Sequence, residues 1–136
     1  MFLRRYVKPV HFYAWPGDMA RILLVEDDAA VETTVSEFLR TIDHYVISAS
    51  SAEQARLILA NQRVDLAVID CLMSGEQGNL LADHVVQLGI PTILTSGHPR
   101  YLAIQQGLGL PFLPKPFRLV ELEELITKVL YSTPTR

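Results

Sequence analysis

The sequence predicts an α/β fold, a doubly wound parallel sheet of five strands with helices on both faces. Three observations predict it. Short, largely apolar runs, clearest at Ile22–Val25 and Val64–Asp70, lack the polar alternation of a half-solvated strand, so they read as strands buried on both sides. Segments with apolar residues at helical spacing separate them, and strands alternating with helices build parallel sheets. Each run also stops abruptly at polar residues, as strands do where they enter a ligand-binding crevice. A length of 136 residues with 49% hydrophobic content suits one compact domain with a well-filled core.

Residues 1–18 stand apart. They mix Arg4, Arg5 and Lys8 with Phe2, Tyr6, Phe12, Tyr13 and Trp15 without periodicity, and they lack the continuous apolar stretch of a signal peptide. Pro16-Gly17 marks a break, and Met19 reads as a natural start, so 1–18 is expected to be a leader or arm and 19–136 the folded domain. The first strand, Ile22–Val25, ends in Glu26, Asp27 and Asp28. Helix one follows, capped by Asp28, with Val31, Val35, Phe38, Leu39 and Ile42 on one face. Tyr45–Ser48 is strand two. Ser51 caps helix two, which buries Ala52, Ala55, Ile58 and Leu59. Strand three, Val64–Asp70, is the central one, closed by the loop Cys71–Gln77.

Helix three spans Gly78–Leu88 and is expected to bury Leu81, Val85 and Leu88, with Gly89 in the left-handed conformation past its end. Strand four is Pro91–Ser96. A short helix over Arg100–Gln106 precedes strand five, Phe112–Leu113. The last helix starts near Leu119 and turns Leu122, Leu125, Ile126, Val129 and Leu130 inward; Glu121, Glu123 and Glu124 favour its first turn. A flavodoxin-like strand order, 2-1-3-4-5, would bring the carboxyl ends of strands one, three, four and five together. Those ends carry Glu26 and Asp27, Asp70, Ser96 and Lys115.

Three carboxylates in one crevice repel one another and call for a cation, and an all-oxygen set selects Mg²⁺ over softer metals. Alone, Asp27 or Asp28 would be a helix cap, Ser96 a strand-end hydroxyl and Lys115 a solvated loop residue. Together they are what a transferring phosphoryl group requires: charge neutralisation, positioning and a carboxylate to receive it. Cys71, the single cysteine, precludes an internal disulfide, fits a reducing, cytoplasmic setting, and without a basic neighbour reads as a small hydrophobe. His98 is read as a plain loop residue, and no histidine shows ligand spacing. The net charge of −3 argues against nucleic-acid binding, and no run approaches the ~20 apolar residues of a membrane span.

The motifs ILLVE26DD, D65LAVID70CLMS followed by Gly78, P91TILTS96G and F112LPK115PF resemble, in order and spacing, the response-regulator receiver domain of two-component signalling, over about Ala20–Tyr131. The resemblance implies that Asp70 accepts a phosphoryl group from a sensor histidine kinase or a histidine phosphotransfer protein. It implies that Glu26, Asp27, Asp70 and the Leu72 backbone carbonyl hold Mg²⁺. Ser96 matches the family's switch hydroxyl, Phe112 its aromatic switch and Lys115 its phosphate-pairing lysine, with Lys115-Pro116 at a bond that is cis in the family. Departures are Ser74 for the usual Pro, Gln77 for an acid, Gly97 for Ala, Leu108-Gly109 for Gly-Ala, and a switch aromatic without a hydroxyl. Leu72 is placed to shield the aspartyl phosphate.

With the chain ending at Arg136, a single-domain regulator is expected, signalling by contact. The face of the short fourth helix, strand five and last helix, with Arg100, Tyr101, Gln105 and Phe112, would meet a downstream protein target or a second copy as a homodimer. Two rival readings are a receiver-like interaction module that works without phosphorylation and a Mg²⁺ phosphatase. The second is disfavoured because Leu72 stands where a general acid is wanted.

Overall fold

A computed structural model of the chain describes residues 19–73, 78–98 and 109–131. The leader or arm, the 74–77 loop and the helix expected over Arg100–Gln106 lie outside the described residues. The elements are β1 (Arg21–Val25), α1 (Ala29–Thr41), β2 (Tyr45–Ala49), α2 (Ala52–Asn61), β3 (Leu66–Asp70), α3 (Gly78–Gln87), β4 (Thr92–Ser96), β5 (Phe112–Pro114) and α4 (Leu119–Tyr131). The strands form one sheet in the order β2-β1-β3-β4-β5, and every neighbouring pair is parallel.

Alternate residues of the central strands serve two separate cores. Ile22, Leu24, Leu66, Val68 and Ile93 pack with Val35 and Leu39 of α1 and with Leu122, Ile126 and Leu130 of α4. Leu23, Val25, Ala67, Ile69 and Leu94 pack on the other face with Ala52 and Ala55 of α2 and with Leu81, Ala82 and Val85 of α3. Both sets are apolar, which is why these strands show no period-two pattern in sequence.

The helix ends follow local chemistry. Asp28 Oδ1 accepts the Ala30 and Val31 N–H groups, and Ser51 Oγ accepts that of Gln54, so both expected caps are in place. The Arg118 N–H donates to Glu121 Oε1 at 2.8 Å, a reach-back cap at the start of α4. Helices α1 and α3 finish in the same motif. At α3, Gly89 (φ 82°) donates to Val86 O and Ile90 donates to Val85 O. At α1, Asp43 (φ 74°) donates to Arg40 O and His44 donates to Leu39 O. The paired bonds satisfy carbonyls that the helix leaves without partners.

Some expectations need correction. Leu88 is 50% exposed rather than buried: the chain leaves α3 at Gln87 and turns through Gly89, so the periodic face ends at Val85 and Ala82 takes the third buried place. Val64 and Asp65 lead into β3 rather than belong to it, and Asp65 turns its carboxylate back to the Arg21 N–H at 2.8 Å. Pro91 lies outside β4, although its carbonyl accepts the Ala67 N–H. Ile42 caps α1 instead of continuing it.

Candidate functional site

Because the strands are parallel, their carboxyl ends share one rim, and the ladder runs one residue beyond the strands to fix the groups that stand there. Glu26 N–H donates to Ala49 O, Cys71 N–H to Thr95 O and Lys115 N–H to Ser96 O. The backbone of Glu26, of Lys115 and of Cys71, which follows Asp70, is thereby tied to the sheet rather than left in free loops.

The side chains converge. Lys115 Nζ lies 2.9 Å from Glu26 Oε1 and 3.3 Å from Asp70 Oδ2, joining groups 89 and 45 positions apart in sequence. Asp27 completes the acidic group: one oxygen each from Glu26, Asp27 and Asp70 lie within 4.8 Å of one another. Glu26 and Asp70 are buried and Asp27 is exposed. Two backbone donors hold the buried pair, Asp28 N–H to Glu26 Oε2 at 3.2 Å and Leu72 N–H to Asp70 Oδ1 at 3.1 Å. The Lys115-Pro116 bond is cis.

Burial raises the Glu26 carboxyl above its usual range, and the Asp70 charge adds to this against the opposing hydrogen bond from Lys115. For Lys115 burial works against the charge, but the Glu26 hydrogen bond and the two carboxylates outweigh it and raise its pKa. Lys115 is therefore an ammonium at neutral pH, partly neutralising the acids. Burial, with Asp70 beside it, pushes the Cys71 thiol up to about 11, in keeping with a small hydrophobe.

The donor set fits a hard divalent cation. Three carboxylates at this separation suit Mg²⁺, whose opposite ligands stand about 4 Å apart, and no nitrogen or sulfur ligand lies among them. Ser96 is buried on the neighbouring strand at the same rim, with its Oγ accepting the His98 N–H at 3.0 Å. Phe112 is half-buried at the start of β5 and packs on the α2/α3 core. The Leu72 side chain is 54% exposed. Arg100, Tyr101 and Gln105 lie outside the described residues, leaving Phe112 as the described member of the expected contact face.

Sequence reasoning missed two features. The sequence offers Asp28 as a helix cap and marks it as one of three acids in a row, but does not show that its backbone N–H steadies the Glu26 carboxylate. A cleft of about 600 Å³ opens beside Lys115, lined by Ala30, Val31, Thr34 and Val35 of α1 together with Gly97, Pro116, Phe117 and Leu119. Nothing in sequence marks a space between elements so far apart in the chain.

A family model described as "Response regulator receiver domain" matches residues 22–127. The protein PetR of Rhodobacter capsulatus is 29% identical over 117 residues, covering 83% of this chain and 49% of PetR. The heme response regulator HssR of Staphylococcus aureus is 33% identical over 118 residues, covering 82% of this chain and 50% of HssR. The chain thus spans about half the length of these relatives. Among solved structures, TrrA of Thermotoga maritima, in complex with Mg(2+)-BeF, superposes with a TM-score of 0.76 at 24% identity, over 82% of this chain and 100% of that one. A CheY-like receiver domain from Methanospirillum hungatei gives 0.75 at 24%, over 83% and 94%.

Proposed function

The chain belongs to the response regulator receiver domain family, and from that premise we propose that it is a Mg²⁺-dependent phosphoacceptor with Asp70 as the accepting residue. The observation that carries the reading is the lysine ammonium between two buried carboxylates from different strands, with a third acid at the same rim. A sensor histidine kinase or a histidine phosphotransfer protein is the donor, and a cytoplasmic location is part of the reading. An Asp70 oxygen forms a bond to phosphorus as the P–N bond to the donor imidazole breaks. That electron pair stays on the ring nitrogen, which then takes up a proton.

Glu26, Asp27, Asp70 and the Leu72 carbonyl would hold the metal. When bound, Mg²⁺ supplies charge neutralisation for phosphoryl oxygens that these acids would otherwise repel. Lys115 exchanges part of its contact with Glu26 and Asp70 for the new phosphoryl group. Ser96 turns its hydroxyl from the His98 N–H toward the phosphoryl oxygens, and Phe112 follows inward. The added charge of nearly −2 biases the surface around β5 and α4 between two packings, read by a downstream protein or a second copy.

Incubation with acetyl phosphate, with and without Mg²⁺, tests this. Intact mass is expected to show one added phosphoryl group in Mg²⁺ only, and none in Asp70→Asn. Incorporation that survives Asp70→Asn would overturn the assignment. A partner interaction equally strong with Asp70→Asn would instead favour a phosphorylation-independent module.

A further inference from the structure

The Lys115 ammonium holds Glu26 Oε1 at 2.9 Å and Asp70 Oδ2 at 3.3 Å, the same carboxylates that a divalent cation would need. An ammonium and a dication drawn to the same two carboxylates repel each other at such short range, so the lysine gives ground when the cation enters. A lysine leaves a contact by rotating about its side-chain torsions, each with discrete wells, and it needs open volume to rotate into. That volume is the cleft beside it, which Lys115 and Gly97 line together.

Gly97 needs explaining because the backbone does not demand it. Its φ lies outside the left-handed region, and a Cβ built there would meet only Lys115 Cβ, at an ordinary 3.6 Å. An alanine would fit, yet it would stand against the root of the lysine side chain and remove part of the space on the cleft side.

We propose that Lys115 is a tethered competitor for the divalent-cation site and that Gly97 is a positioning residue acting through it, keeping open the space into which the lysine withdraws. The inference rests on the metal assignment made above. A side chain at position 97 confines Lys115 to the carboxylates and weakens cation binding, more so as it grows. Removing the ammonium strengthens binding and makes position 97 irrelevant.

The test is calorimetric titration of the full chain with MgCl₂ and, separately, MnCl₂, in wild type, Gly97→Ala, Gly97→Val, Lys115→Met and the double variant Gly97→Val/Lys115→Met. Circular dichroism melts check that each variant folds, and alanine serves if valine does not. Relative to wild type, affinity is expected to fall about twofold in Gly97→Ala and about fivefold in Gly97→Val, and to rise about tenfold in Lys115→Met as a repelling charge leaves the site. The double variant should match Lys115→Met, because a loss that runs through the lysine has nothing left to act on. A merely structural effect of residue 97 would persist there and would overturn the proposal, as would wild-type affinity in the folded Gly97 variants. Absence of divalent binding by the wild type would overturn the metal assignment and this inference together, so the two failures are distinguishable.

Discussion

Asp70 and Cys71 are neighbours with opposite surroundings. The aspartate oxygens meet an ammonium and a backbone N–H, whereas the thiol is fully buried in the α2/α3 core and ionises only near pH 11. Thiolates, not thiols, react with alkylating agents, so native Cys71 should resist iodoacetamide at pH 8 and label readily in urea; mass spectrometry before and after unfolding checks this. The linkage has a definite sign. The folded thiol holds its proton more tightly than the unfolded one, ordinarily near 9.0. The associated stability is therefore complete below about pH 9 and is lost as pH rises through about 11. Sequence alone foretold an inert cysteine, because no basic residue flanks it. It did not foretell how Lys115 divides its contact, since two of the three groups lie 45 or more positions away.

At the level of elements, the two matching helix ends make a natural experiment. Gly89 occupies the left-handed position without penalty, while Asp43 carries a Cβ into the same region. Asp43→Gly should therefore stabilise the fold by about 0.5 kcal/mol, and Gly89→Ala should destabilise it by about 1 kcal/mol. Urea unfolding with unchanged m-values checks both. The strands and caps were legible because each is written locally: a continuous apolar run at Ile22–Val25, a hydroxyl at Ser51, a glycine after Gln87. Leu88 was misread because periodicity carries no stop signal of its own, and here the turn at Gly89 ends the helix before the next inward position. The Asp65 carboxylate on the Arg21 N–H was illegible because it depends on how β1 and β3 register.

Across the whole molecule, the rim gathers three acids and the Lys115 ammonium among the described residues, and burial raises the Glu26 carboxyl above its usual range. A cation that binds the folded chain and not the unfolded one stabilises by mass action, about 2.7 kcal/mol at a hundredfold excess over its dissociation constant. Melting temperature should therefore climb with MgCl₂ and fall back on adding EDTA, and Asp27→Asn should blunt the response; a thermal melt series checks it. That the strand ends share one rim is legible in the sequence because parallel topology leaves them nowhere else to go. The cleft beside Lys115 is not, because it is a property of how α1 and the connection into α4 are spaced.

The strict division of labour within β1 and β3 has a further consequence. Since odd and even positions answer to different helical layers, a single residue inserted into β3 would exchange the tenants of both layers at once. It would set Leu66 and Val68 where Ala67 and Ile69 now fit and rotate the aspartate out of reach of its lysine. The middle of this strand is therefore a reading frame in three dimensions, intolerant of a shift by one, and the interior itself guards the chemistry at its tip.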